Sequence, residues 1–319
     1  MKDNFVQAIK GKKHANFRRR RDLIFYISLF ALPCIQFCVF YIGVNANSIV
    51  QAFMKYDLDM KGLHSSFAGF QNFSAALDLF KQNVYTFRYS FIAYGTGLCI
   101  SFPLSLIFSF YIYKKMPASG AFKVFLFMPQ LVSGLVFSLL FNYIVTDVYI
   151  EMMKKITGES EIVGLLYNRD TRLSTVLFFN VWVSFGVNIL LYSGGMSAID
   201  ESIVESAQLD GAGLVTEFLH ITLPLVYPTI MQMLIVGIAS IFANQMQLMS
   251  LYGLMATEAS EMATFGMFLY INTQKAKLTM ENGLSIGVLS SMGIMLTIVL
   301  LPTTMLIRKL LAKLGPSVS

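Results

Sequence analysis

The chain has 319 residues, of which 55% are hydrophobic and only 13% charged, with a formal net charge of +6 and a mean hydropathy of +0.63. A soluble domain devotes about a quarter of its residues to Asp, Glu, Lys and Arg. The composition therefore excludes an ordinary water-soluble fold and specifies a bilayer as the main solvent.

Six runs are apolar and long enough to cross about 30 Å of hydrocarbon, which takes roughly twenty residues each. They are Leu23 to Gly43, Tyr89 to Tyr113, Val124 to Val145, Leu173 to Ile199, Val226 to Ala256 and Leu284 to Ile307. All 24 basic and 18 acidic residues fall outside these runs. A charge at mid-membrane costs about 2.5–3.5 kcal/mol on the insertion scale, so the segregation supports the assignment. The fold class predicted is an all-α membrane protein with six transmembrane helices.

The head, residues 1–22, carries "KGKKHANFRRRR" at Lys10 to Arg21, and the tail, residues 308–319, carries Arg308, Lys309 and Lys313. Short cytoplasmic segments are enriched in Lys and Arg, so both ends are expected inside. The basic head is read as topology rather than nucleic-acid binding, because an apolar span follows directly. The first span, residues 23–43, lacks a small-residue cleavage site after it and is read as a retained anchor. Cys34, Cys38 and Cys99 lie within spans and are expected as buried packing thiols, with no metal site, since neither His nor carboxylate stands near the Cys34/Cys38 pair.

Residues 44–88 form the longest outside segment; its "FAGFQNF" at Phe67 to Phe73 suits chain lying against headgroups. A core from 89 to 307 follows. Its first inside turn holds Lys114, Lys115, Pro117 and Lys123, and its next outside segment, Thr146 to Arg172, contains the helix-stopping pair Thr157-Gly158. Asp200 to Leu225 is then an inside loop. Its charges are Asp200, Glu201, Glu205, Asp210 and Glu217, with no basic residue apart from His220, against the inside-positive trend. Asp200 can cap a helix whose first turn holds Glu201, with Ile203, Val204, Ala207 and Gly211 on one side. "DGAG" ends it. A second short helix through Leu214, Phe218 and Ile221 is expected to break at Pro224 and Pro228. Such an anionic elbow suits docking into a basic-lined groove, or it is a capped hairpin resting on its own bundle.

"ESAQLDGAGLVTEFLHITLP", from Glu205, closely resembles the EAA loop of binding-protein-dependent ABC importer permeases, through Glu205, Ala207, Asp210, Gly211, Ala212, Phe218, Ile221, Leu223 and Pro224. "DGAG" followed by "ITLP" is most similar to the carbohydrate-uptake, maltose-type branch. Ser206 replaces the middle Ala, Asp200 stands where many members have Pro, and "LMATEAS" stands where Gly-Gly-Pro is often found. The resemblance implies that Glu205, Ala207, Asp210, Gly211 and Ala212 form a coupling helix seated on an ATPase subunit. It implies as partners a second permease subunit, as a heterodimer, two cytoplasmic ATPase subunits, an extracellular solute-binding protein, a sugar and membrane lipid. The location implied is a bacterial or archaeal cytoplasmic membrane. ATP and Mg would belong to the ATPase subunits. This chain would be no enzyme, carrying no cofactor and no catalytic residue; it has no G-x-x-x-x-G-K-[ST] phosphate loop.

Span four carries Asn180, Ser184 and Asn188 at four-residue spacing, and span five carries Gly237, Ser240, Asn244 and Gln247 at three, four and three. Uncharged polar side chains at that depth face a cavity or another helix. Spacing leaves substrate passage and helix-to-helix adhesion both open; the resemblance favours passage, since "NVWVS" at Asn180 to Ser184 is similar to the sugar-contacting segment of maltose-type permeases, and Ser240 and Asn244 match the next span. Trp182, off the stripe, is assigned to packing or an interface. An ion-coupled secondary transporter is the alternative, though no carboxylate or His lies within a span to bind the ion.

Overall fold

The computed structural model describes residues 22–59, 62–253, 257–279 and 285–316. The basic head at Lys10 to Arg21, the end of the fifth expected span at residues 254–256, and Leu284 lie outside them. Among the described residues, six helices are long and apolar enough to cross a membrane. In chain order the elements are α1 (Asp22–Ala52), β1 (Met54–Asp59), β2 (Gly62–Phe67), α2 (Gln71–Gln82), α3 (Val84–Tyr113), α4 (Ser119–Leu131), α5 (Gly134–Thr157), α6 (Arg172–Ser197), α7 (Glu201–Leu209), α8 (Leu214–Ala239), α9 (Leu248–Tyr252), α10 (Thr257–Glu261), α11 (Phe265–Thr279) and α12 (Ile286–Leu314). The chain divides into two compact units, Met1–Ala76 with Ser285–Ile294, and Leu77–Leu284 with Met295–Ser319.

In the first unit, α1 presents its large apolar side chains outward, as lipid-facing residues do. It runs past the expected end at Gly43 to Ala52. Next comes the one departure from an all-helical chain among the described residues: β1 and β2 pair antiparallel, Met54 opposite Phe67 and Asp59 opposite Gly62. Buried Asn72 secures the junction by donating to the carbonyls of Ala52 and Met54, both at 2.9 Å. The Ser291 hydroxyl donates to the same Ala52 carbonyl at 3.2 Å. Phe53, Phe70 and Phe73 form a ring cluster with centroids 5.2–5.6 Å apart.

The second unit holds the core of the expected permease region. Phe137 and Phe141 of α5 pack on Phe179 of α6, centroids 5.7 and 4.6 Å apart. Trp182 meets Phe137 edge-on at 5.1 Å, which bears out its assignment to packing. A second cluster, Leu106, Phe110, Tyr192, Met196, Val226 and Ile230, joins α3, α6 and α8.

Three expectations require correction. The third span is not Val124 to Val145: α4 stops at Leu131, Val132 and Ser133 are extended, and the long helix is α5. Pro129 inside α4 and Gly134 beyond it weaken helix continuity there. Nor is α8 broken by Pro224 or Pro228; it runs from Leu214 to Ala239 and then ends, well before Ala256. Finally, Cys34, Cys38 and Cys99 are exposed free thiols rather than buried ones, because in a lipid solvent apolar side chains do not have to turn inward. The predicted stop at Thr157-Gly158 is present, with Gly158 left-handed at φ +75°.

Helix α6 approaches α4 closely enough at Gly186 that a Cβ there would stand 2.7 Å from the Leu126 carbonyl oxygen. Gly186→Val is expected to destabilise by about 1–3 kcal/mol through overpacking, measured as earlier thermal unfolding in detergent. Gly194→Ala, on the same helix with open space around it, should unfold no earlier than the parent.

Candidate functional site

One cavity of about 310 Å3 lies between α3, α6 and the end of α8. Asn180, Ser184 and Asn188, one face of α6, all line it, as do Gly237, Ser240 and Asn244. The two stripes nominated from sequence thus meet in a single space. Ser184 and Ser240 donate back to helix carbonyls at 2.9 Å, Asn180 and Val236 respectively. The side-chain carboxamides of Asn180 and Asn188 make no hydrogen bond among the described residues. Among the described residues, no Lys, Arg, Asp or Glu lines the cavity.

Gln247 does not join them. Helix α8 ends at Ala239, and the Asn244 carboxamide oxygen accepts the Met246 amide at 2.8 Å, a local turn that competes with further helix. Met246 and Gln247 then take positive φ, and the helical period carrying Gln247 is lost. The turn is anchored from α11's side: Thr264 donates to the Asn244 carbonyl at 2.5 Å, and Gly266 lies so close to Ala243 that a Cβ would collide with its carbonyl.

The third wall was missing from the sequence analysis. Tyr94, Gly97, Leu98, Ser101 and Phe102 of α3 line the cavity, and the Ser101 hydroxyl is buried without a partner among the described residues. A signal existed, since Gly97, Ser101, Ser105 and Ser109 are small or hydroxylated at every fourth residue. Helix α3 winds as a π-helix over Gly97–Ser101, and Pro103 explains it, because it has no N–H for the Cys99 carbonyl and its ring crowds that position. Gly237 admits this wall: a Cβ there would sit 3.2 Å from the Tyr94 ring.

At the far end of α6, the loop from Asp200 to Leu225 takes the expected capped, elbowed form. The Asp200 carboxylate accepts the Ser202 amide at 3.0 Å. That bond, with help from the Ser202 hydroxyl, holds the Asp200 carboxyl below its ordinary pKa. The cap therefore contributes above the usual carboxylate range and is lost as pH falls through the lowered value. Helix α7 closes with Ala212 N–H donating to the Ala207 carbonyl at 2.9 Å and Gly211 N–H to the Gln208 carbonyl at 3.0 Å. This pair of bonds requires a left-handed residue between, and Gly211 supplies it at φ +87°. Ala207, Gly211 and Ala212 are thus the parts of one helix stop, while Glu205 and Asp210 beside it are exposed. Of the apolar side predicted for α7, Val204 alone is buried; Ile203 and Gly211 are exposed.

Glu217 is unlike the other acids of this loop. It is 1% exposed, and both its oxygens accept from Lys114 Nζ, at 2.9 and 3.0 Å. Gln208 adds a bond to Oε2 at 3.2 Å. In the sequence Glu217 is one of five acids of the 200–225 loop and Lys114 one of the basic residues of an inside turn, and no local pattern joins residues 103 positions apart.

Residues 101–319 match the family described as binding-protein-dependent transport system inner membrane component. Among curated proteins, the chain is 26% identical over 217 residues to the arabinooligosaccharides transport system permease protein AraP of Bacillus subtilis (strain 168), covering 66% of each. It is 27% identical over 195 residues to the sn-glycerol-3-phosphate transport system permease protein UgpA of Yersinia pestis bv. Antiqua (strain Antiqua), covering 58% of this chain and 62% of that protein. The chain thus spans about two-thirds of the length of such relatives, or slightly less. A solved bacterial ABC transporter involved in import of the acidic polysaccharide alginate contains a chain with the same fold, at TM-score 0.71 and 20% identity, covering 92% of this chain and 96% of that one. Since the family match takes in well over half of its residues, this chain belongs to the family of inner membrane components of binding-protein-dependent transport systems.

Proposed function

We propose that this chain is the translocating permease subunit of an ATP-driven importer for a sugar or oligosaccharide. Its family makes it a multi-pass transport component of the cytoplasmic membrane. The observation that carries the substrate reading is the cavity, where amides and hydroxyls from three helices converge with no ionised side chain. Such groups offer both donors and acceptors, which a neutral polyol needs in exchange for its water shell. The name of AraP, an arabinooligosaccharide permease, supports the same class.

In this reading a second, different permease completes the passage, an external solute-binding protein delivers the sugar, and two cytoplasmic ATPase subunits hold ATP and Mg. Loop 200–225 and both termini face the cytoplasm. Helix α7 seats in an ATPase groove with Glu205 toward a basic residue, and Ala207, Asp210, Gly211 and Ala212 shape the stop that fixes its angle. Closure of the ATPase pair moves α7, and the motion reaches the cavity along α6 and α8, which the short turns at 198–200 and 210–213 join to it. The membership of a binding-protein-dependent family runs against an ion-coupled secondary transporter.

In proteoliposomes holding the whole complex, uptake should follow internal ATP and persist when proton and sodium gradients are collapsed. Glu205→Lys should leave membrane insertion intact while the ATPase subunits no longer co-purify and uptake is lost; normal uptake would remove the docking role. Asn180→Leu and Asn244→Leu should each weaken uptake by the worth of a lost hydrogen bond, about 0.5–1.5 kcal/mol, with the ATPase subunits retained. Unchanged half-saturation would return these stripes to helix adhesion.

A further inference from the structure

Three helices wall the cavity, and all three reach the cytoplasmic loop at their other ends. Helix α6 enters the loop through the short turn at 198–200, and α8 begins inside it just past the glycine stop at 210–213, so both are joined to α7 by turns of a few residues. Helix α3 is not: it ends at Tyr113, separated from the loop by α4, α5 and α6. Its cavity residues, Ala93 to Phe102, lie 12 or more positions before Lys114. Lys114, the residue that caps α3, is where the Glu217 carboxylate is bound.

We propose that the Lys114–Glu217 pair, steadied by Gln208, is the linkage that makes the α3 wall follow the loop, a positioning device for the coupling stroke; this rests on loop 200–225 being the coupling segment. Both oxygens of a carboxylate that is 1% exposed are engaged by one ammonium. Removing either partner of such a pair leaves the other buried and uncompensated, so the two ends are driven to stay together. Beside them Phe110 of α3 packs on Phe218, centroids 4.9 Å apart, so the joint is apolar on one side and ionic on the other. Glu217 also precedes the π-helical stretch Phe218–Thr222 of α8, which puts the joint at the base of the helix whose top forms the opposite wall.

The test uses the assembled complex with Cys34, Cys38 and Cys99 replaced by Ser, and one reporter thiol per wall: Leu98→Cys, Ser184→Cys or Ser240→Cys. All three positions line the cavity and are exposed. Labelling by a membrane-impermeant maleimide is followed before and after trapping with ATP and vanadate. In the parent, trapping should change the labelling rate at each reporter by about fivefold or more, the range of ordinary coupling energies. With Glu217→Gln, the Leu98→Cys response should be lost while the Ser184→Cys and Ser240→Cys responses remain, and Lys114→Gln should do the same. The reversed pair Lys114→Glu with Glu217→Lys should restore it. Three responses that survive together, or vanish together with loss of the ATPase subunits, would overturn the linkage. A parent in which no reporter responds would instead overturn the coupling reading itself, which Glu205→Lys tests separately.

Discussion

A bilayer interior offers no water to an ionised group or an unpaired amide, and that restriction governs where each kind of chemistry in this chain can sit. Every Lys, Arg, Asp and Glu is displaced from the six apolar runs read from the sequence. A passage for a polar solute must then be built from Asn, Ser and Tyr, which offer hydrogen bonds without the cost of a buried charge. Ionised groups collect at the helix ends, where the chain turns. There one of them, Glu217, is again buried, and it is tolerated because Lys114 and Gln208 satisfy it.

The same restriction shapes the backbone. Pro103 and Pro224 would each strip a carbonyl of its partner, and in both places the helix slips into a π-helical stretch, Gly97–Ser101 and Phe218–Thr222. The helices continue where a water-soluble one would more readily end. In the first case the slip falls in the cavity wall, where an irregular backbone has polar neighbours. The extended residues Val132 and Ser133 are another concession, in a chain segment where Gln130 donates to the Val183 carbonyl of the adjacent helix.

Much of this was legible in advance, for identifiable reasons. Spans are written as long apolar runs and the loop as a cap, a glycine stop and a short helical phase, so Asp200 and Gly211 could be read directly, whereas spacing located the Asn180 and Ser240 stripes but left a shared cavity and helix adhesion both open. What escaped depended on contacts between distant residues. The Lys114–Glu217 pair joins positions 103 apart, and the third cavity wall was overlooked because hydroxyls at four-residue spacing on span two are also what helix adhesion produces. Gln247 was assigned by extending a period beyond the place where Asn244 turns the chain. The hairpin Met54–Asp59 with Gly62–Phe67 was hidden in a segment whose composition announces only an interface.

Helix α8 carries one last implication. It has 26 residues, so at 1.5 Å per residue it is a lever about 39 Å long, with the loop at one tip and Ser240 just past the other. If it pivots as a stiff body about the loop end, a tilt of about 10° sweeps the far tip by about 7 Å, roughly the width of a pyranose ring. On the proposed coupling, the ATPase subunits then have no need of a large stroke, because leverage supplies the amplitude.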